Sequence, residues 1–146
     1  MSTPLDRDTL EMRIPCETRF LSVVRLTVAG VAARSGLGVA EVDDVKVAIS
    51  EACTNVIEHA YDATTSGTCA LIHIRMTSRE GELRLEIEDE GAGFDPKHLP
   101  KVDIEQRVQE EGGLGIYLMR QLMDEVKIES APGSGTKITM VKRAAR

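Results

Sequence analysis

The stretch Glu111-Gly-Gly-Leu-Gly-Ile-Tyr-Leu-Met-Arg-Gln-Leu-Met123 places three glycines directly before an apolar pattern with helical spacing. Glycine lets the backbone approach a ligand closely, and the first N–H groups of a helix have no partner within the helix and lie at the positive end of its dipole. The stretch therefore predicts a helix over residues 114–123 whose start can hold an anion such as a phosphate. A flexible loop with a glycine at the helix start is the alternative that this stretch leaves open on its own.

Length and composition are those of a single globular domain. The chain has 146 residues, of which 42% are hydrophobic and 29% are charged, and a chain of this size can bury a substantial core. No apolar run approaches the length of a membrane helix, and the first residues lack a signal-peptide core. The net charge is −6, and the one basic cluster is at residues 142–146. The chain therefore offers little positive charge for binding nucleic acid. We therefore expect one cytoplasmic domain over residues 1–146 that binds neither membrane nor nucleic acid.

The three cysteines are Cys16, Cys53 and Cys69. They are odd in number and lack the paired spacing of metal ligands, so they indicate neither a disulfide framework nor a zinc site. We expect them to be small core residues.

The pattern along the chain predicts an α+β domain. Strands are predicted over residues 10–15, 70–77, 82–88, 125–130 and 136–142, and helices over residues 17–35, 40–61 and 114–123. A long charged loop over residues 95–111 contains two prolines and is a candidate lid. The economical packing of these elements is a two-layer sandwich, with a mostly antiparallel sheet and the helices on one of its faces.

Two polar side chains share one face of the second predicted helix. Glu51 and Asn55 are four positions apart, so they project from adjacent turns. An amide oxygen suits Mg²⁺, which takes its other ligands from water and nucleotide phosphates, and a carboxylate can accept a proton from an attacking hydroxyl. Solvated surface residues are the alternative that this spacing alone favours.

A second glycine-rich stretch follows the predicted strand over residues 82–88. Asp89 can accept a hydrogen bond from an exocyclic amine, and Gly91 and Gly93 let the chain turn sharply beside a flat ring. Because Asp and Gly are also the usual turn residues, this stretch alone does not separate a nucleotide site from an ordinary turn.

Together and in this order, these stretches resemble the GHKL ATPase superfamily. The matching elements are an N box at Glu51-x-x-x-Asn55, a G1 box at Asp89-x-Gly91-x-Gly93, a G2 box at Gly113-Leu114-Gly115 and a final adenine-side element at Gly135-Thr136. The resemblance covers about residues 15–142. Within the superfamily, residues 51–61 and 112–126 look most like the anti-sigma-factor serine/threonine kinases of the RsbW and SpoIIAB type.

The resemblance implies the Bergerat (GHKL ATPase) fold, with ATP and Mg²⁺ as cofactors. It implies that Asn55 binds Mg²⁺ and that Glu51 is the general base toward a serine hydroxyl. It also implies that Asp89 binds the adenine amino group, supported by Thr136. The remaining nucleotide contacts that it implies are Gly91 and Gly93 at the base, and Gly113, Leu114 and Gly115 with nearby lid residues at the phosphates.

The resemblance also implies partners. A kinase of this type is a homodimer that binds a sigma factor and phosphorylates a STAS-domain anti-sigma antagonist. The short strand over residues 10–15 favours the homodimer, because an exposed edge strand offers unpaired backbone groups to a two-fold partner. Two alternatives stay open: an RsbT-like kinase that activates a partner phosphatase, and a non-catalytic binding module that uses ATP for shape.

Overall fold

Alternating apolar and polar residues form the sheet of this molecule. The computed structural model describes residues 7–63, 71–89, 114–131 and 135–145. The strands in these ranges are β1 (Arg7–Pro15), β2 (Leu71–Arg79), β3 (Glu82–Asp89), β4 (Glu125–Ala131) and β5 (Gly135–Arg143). The helices are α1 (Leu21–Arg34), α2 (Val39–Ala63) and α3 (Leu114–Leu122). All pairings are antiparallel, and the sheet order is β1-β2-β3-β5-β4, so β1 and β4 are its edges.

One face of the sheet carries the core. Every second residue of β2 and β3 is buried, because successive side chains of a strand point to opposite faces. The three helices contribute Val24, Ile49 and Met119 to the same buried cluster as Ile74 and Ile87 of the sheet. The predicted α+β architecture, with an antiparallel sheet and helices on one face, is confirmed.

The other face of the sheet is charged. One cross-strand row pairs Arg13, His73, Glu88, Lys137 and Glu129 in register from β1 to β4. Lys137 Nζ lies 3.3 Å from Glu88 Oε1, and in the next row Arg75 hydrogen-bonds to Glu11 and holds the pKa of that carboxyl below its usual range. Opposite charges therefore lie beside one another on this solvent-facing surface.

Short polar contacts fix the ends of α1 and α2. Ser35, just after α1, shares a 2.6 Å hydroxyl hydrogen bond with Ser78 of β2, and its carbonyl accepts the Gly81 N–H of the β2–β3 turn at 2.7 Å. At the start of α2, Gly38 N–H donates to Glu41 Oε1 at 2.9 Å, which lowers the pKa of Glu41. This is the glutamate half of a capping box.

The predicted boundaries differ most from the structure at the first strand and the first helix, and the other ends differ by one or two residues. Strand β1 begins at Arg7 rather than at residue 10, because pairing with β2 continues to Arg7↔Arg79. The first helix is preceded by a 3₁₀ turn at Thr18–Phe20, and the α-helix itself begins at Leu21.

The cysteines within the described residues are both buried. Cys53 is free, and burial raises the pKa of its thiol to about 12, so it behaves as a small core residue. Cys16 is disulfide-bonded, so the prediction of a simple core thiol is right about its burial and wrong about its bonding. A disulfide depends on two cysteines lying close in space, which their number and spacing in the sequence do not reveal.

Among the helices that the structure describes, none has the length and apolar character needed to cross a membrane.

Candidate functional site

Asp89 ends the buried row of β3. Its side chain follows Leu83, Leu85 and Ile87 on the core-facing side of the strand, and it is only 7% exposed. Strand alternation thus turns this carboxylate towards the helical layer instead of the open face. Burying an acid is costly unless it is paired or hydrogen-bonded, and Asp89 does take part in polar interactions. Asp89 is therefore a buried acid at the edge of the core, and its role in binding adenine stays a prediction.

The start of β5 runs directly against Asp89. Glu88 is in register with Lys137, so continuing the antiparallel order brings Thr136 and Gly135 beside Asp89. Thr136 is buried, with 6% of its surface exposed. A methyl group on Gly135 would overlap the carbonyl oxygen of Asp89 and lie 3.3 Å from its carboxylate Oδ1. Gly135 also has a φ of +74°, a backbone angle that residues other than glycine rarely adopt.

The second close approach joins α2 and α3. Gly115 is the second residue of α3, and a Cβ on it would lie 2.6 Å from Glu51 Oε2 and 3.6 Å from Glu51 Cβ. The absence of a side chain at Gly115 therefore leaves the room that the Glu51 carboxylate occupies. Since α3 begins at Leu114, this carboxylate lies at the positive end of a helix.

Asn55 lies one turn after Glu51 on α2, and both side chains are half-buried. The amide oxygen of Asn55 is the kind of donor that Mg²⁺ accepts beside water and phosphate oxygens. Within the described ranges there is no group of three or more His, Cys, Asp and Glu side chains that could hold a metal ion. The assignment of Asn55 to Mg²⁺ remains a prediction.

The described residues fit an adenine nucleotide in two respects. Asp89 offers a buried acceptor to an amino group, and the backbone of Gly135 at the start of β5 lies close beside it. The start of α3 offers helix N–H groups to an anion, with Leu114 largely exposed there and Gly115 against Glu51. The two parts belong to elements that share one core, because α2 packs against α3, β3 and β5.

Part of the predicted site lies outside the described residues. These positions are Gly91, Gly93, Gly113 and the lid over residues 95–111. The structure therefore brings Glu51 to Gly115 and Asp89 to Gly135, and leaves the other glycines as predictions.

Sequence reasoning missed Lys142. It appeared as one cation in the terminal basic cluster, whereas its side chain is only 13% exposed and bonds to both α2 and α3. The signal in the sequence that could have predicted this burial is the alternation of β5, which places Lys142 on the core-facing side of the strand.

The chain also matches a known protein family. The chain matches the histidine kinase-like ATPase domain over residues 14–142. That match includes Glu51, Asn55, Asp89, Gly115 and Thr136.

Curated relatives match over most of their own length. The chain is 39% identical over 150 residues to the serine-protein kinase RsbW of Bacillus velezensis (strain DSM 23117 / BGSC 10A6 / LMG 26770 / FZB42), covering 97% of this chain and 88% of the relative. It is 38% identical over 143 residues to the serine-protein kinase RsbW of Bacillus subtilis (strain 168), covering 92% of this chain and 85% of that protein.

A solved structure has the same fold. The crystal structure of the RsbU and RsbW domains of Rv1364c from Mycobacterium tuberculosis superposes with a TM-score of 0.67 at 21% identity. The match covers 95% of this chain and 33% of the larger one. At that identity the likeness supports the fold alone.

The Asp89–Gly135 contact predicts that Gly135→Ala destabilises the domain. The new methyl group meets backbone, which cannot swing aside, and the positive φ adds strain, so we expect a loss of about 1–3 kcal/mol in the free energy of unfolding. Urea unfolding measures it.

The matched control is Gly30→Ala. Gly30 lies in α1 with open space around it, and alanine there should stabilise the helix by about 0.5–1 kcal/mol. Equal stabilities of Gly135→Ala and the wild type would contradict the close packing described for β5.

Proposed function

Because the chain belongs to the histidine kinase-like ATPase family, and within it to the RsbW serine-protein kinases, we propose that it is an ATP-dependent anti-sigma factor and serine kinase. In this proposal it binds a sigma factor and phosphorylates a STAS-domain antagonist on serine, in the cytoplasm. The observation that carries the proposal is the Glu51 carboxylate held at the start of α3 against Gly115.

Glu51 has the surroundings that a general base for a protein substrate needs. Its carboxylate is half-buried, so it is held by packing and still reachable from solvent. A base must come within hydrogen-bond distance of the hydroxyl that it deprotonates, and an accessible helix surface admits a serine presented by another protein. Glu51 would therefore accept the serine proton while the hydroxyl oxygen attacks the γ-phosphorus of ATP, and ADP would leave as the bond from that phosphorus to the bridging oxygen breaks.

ATP supplies the phosphoryl group for this transfer, and Mg²⁺ supplies positive charge that neutralises the phosphate oxygens. Asn55 would hold the metal with its amide oxygen, one turn away from Glu51. Asp89 would accept a hydrogen bond from the adenine amino group, with Thr136 beside it. The start of α3, at Leu114 and Gly115, would direct N–H groups at the phosphates, together with Gly113, while Gly91 and Gly93 would line the base.

We propose a homodimer as the working form. Among the described strands, β1 is an edge of the sheet and pairs with β2, and an edge strand of this kind can offer its outer backbone groups to a two-fold partner. A dimer would present two kinase sites and two copies of each partner-binding surface.

The first prediction concerns nucleotide recognition. Asp89→Asn keeps the size of the side chain and removes the charged acceptor, so we expect a loss of about 1.5–3 kcal/mol, or roughly ten- to a hundred-fold in ATP affinity. Calorimetric titration with Mg-ATP measures it. The control is Glu88→Gln, which alters the neighbouring acid on the open face and should bind ATP normally; an unchanged affinity of Asp89→Asn would remove this residue from the site.

The second prediction separates the base from the metal ligand. Glu51→Gln should spare Mg-ATP affinity and sigma-factor capture while lowering the phosphorylation rate about 10²–10⁴-fold. Asn55→Ala should weaken Mg-ATP binding itself. The measurements are Mg-ATP titration, phosphoryl transfer to a STAS protein and binding of a sigma factor.

Glu58→Gln is the matched control for this pair, because Glu58 is an exposed acid further along α2. It should behave as wild type in all three assays. Phosphorylation by Glu51→Gln at the wild-type rate would end the base assignment. A wild-type protein that binds ATP and sigma factor without phosphorylating any STAS protein would favour the binding module.

The third prediction concerns assembly. Light scattering at micromolar protein with Mg-ATP present should give about twice the mass of the 15.9 kDa chain. A mass equal to that of one chain under these conditions would contradict the homodimer.

A further inference from the structure

Lys142 connects three elements beneath the surface. It lies on β5, and its side chain is 13% exposed. Its ammonium Nζ lies 3.1 Å from Asp44 Oδ2 of α2, and it also donates to the carbonyl oxygen of Leu122, the last residue of α3. A lysine bonded in this way caps an end of α3 whose carbonyls lack partners in the helix, and it complements the negative end of the helix dipole.

Two hydrogen bonds hold the same end of α3 to β5. Asp124 N–H donates to the Val141 carbonyl at 2.9 Å, and Arg143 N–H donates to Asp124 Oδ2 at 2.7 Å. These bonds attach the residues after α3 to the sheet. Among the hydrogen bonds described at this end, Lys142 provides the link from α3 to α2.

The link to α2 has a counterpart at the other end of α3. Asp44 and Glu51 are about two turns apart on one face of α2, and Gly115 and Leu122 are about two turns apart on α3. The helices therefore run antiparallel, with Glu51 against Gly115 at one end. Lys142 bridges Asp44 and Leu122 at the other end.

We propose that Lys142 is a positioning residue, which sets the register of α3 along α2 and thereby holds the start of α3 against Glu51. The catalytic part of this inference rests on the proposed kinase function, whereas the structural part does not. Gly115 packs on the flexible end of a carboxylate, so that contact alone resists sliding of α3 weakly. Core packing of Met119 and the bonds of Asp124 hold α3 on the sheet, and the bonds of Lys142 add the polar link that fixes the position of α3 along α2.

The test uses Lys142→Met and Asp44→Asn in the full chain. Methionine keeps the apolar stem and removes the ammonium group, and asparagine keeps the shape of Asp44 and removes its charge. Both should raise hydrogen exchange of the α3 amides about tenfold in the protein alone, since a local constraint is lost. Both should also lower kcat for STAS phosphorylation about tenfold, with a smaller change in KM for ATP because Asp89, Gly135 and Thr136 are untouched.

Arg143→Met is the matched control. Arg143 follows Lys142 in sequence, but its side chain pairs with Glu82 and Glu125 on the open face. It should show wild-type exchange in α3 and wild-type kcat. The double variant Lys142→Met with Asp44→Asn should be no worse than the more severe single variant, because the two residues act through one contact.

Each outcome decides the inference. Should Lys142→Met fail to fold, Asp44→Asn alone carries the test. Unchanged α3 exchange would overturn the inference whether or not the wild type phosphorylates anything. Faster exchange of the α3 amides with an unchanged kcat, in a protein that is active, would show that Lys142 has a structural role only. This result would also overturn the inference. An inactive wild type that binds no sigma factor would refute the proposed function, and the exchange measurement would still decide the role of Lys142.

Discussion

The absence of a side chain at Gly115 is the constraint on which the candidate site depends. It lets α3 lie so close to α2 that the Glu51 carboxylate fills the place of a Cβ. A helix start draws an anion because its N–H groups are unpaired and its dipole is positive there. In the protein alone, the carboxylate of Glu51 occupies this environment. Under the proposed function, a phosphate bound at the same helix start would lie close to that carboxylate, with the acceptor hydroxyl between the two.

Gly115 and Gly135 both have close neighbours, and these neighbours differ in how freely they can move. Gly135 faces the backbone of Asp89, which is fixed by the sheet, whereas Gly115 faces the mobile end of a side chain. Packing against backbone controls folding, because neither partner can move without breaking strand pairing. Packing against a carboxylate is less restrictive, since the acid can rotate away at small cost to stability. Replacing Gly135 should therefore cost more stability, whereas the bare backbone of Gly115 leaves room for the Glu51 carboxylate.

Much of this arrangement could be predicted from sequence because it follows from local periodicity. Alternation in β3 predicted a strand with one solvent-facing side, and the spacing of Glu51 and Asn55 predicted a common helix face. The predicted strand ended at residue 88, so the burial of Asp89 as the last residue of β3 comes from the structure. The predicted helix at residue 114 begins at Leu114 as expected. The roles of Gly91, Gly93 and Gly113 follow from the family resemblance and stay predictions.

Other features depend on contacts between distant segments and leave little local trace. Pairing with β2 extends β1 to Arg7, and no apolar pattern marks that polar end. The bonding of Cys16 needs a partner close in space, which spacing does not reveal. Lys142 is similar: a cation near a terminus is typical of solvated tails, and its link between α2 and α3 arises only when β5 lies beneath both helices.

The alignment of β3 with its neighbouring strands decides on which face of the sheet Asp89 lies. A slip of one residue in β3 would turn Asp89 to the open face, because strand side chains alternate with a period of two. The β2–β3 turn opposes such a slip: Gly81 has a φ of +77°, donates to the Ser35 carbonyl and accepts a hydrogen bond from Ala144 N–H. Gly135 opposes it at the opposite end of β3, because its φ of +74° and its close contact with the Asp89 carbonyl fit the observed alignment. Glycines at both ends of β3, far apart in sequence, therefore support the alignment that buries Asp89.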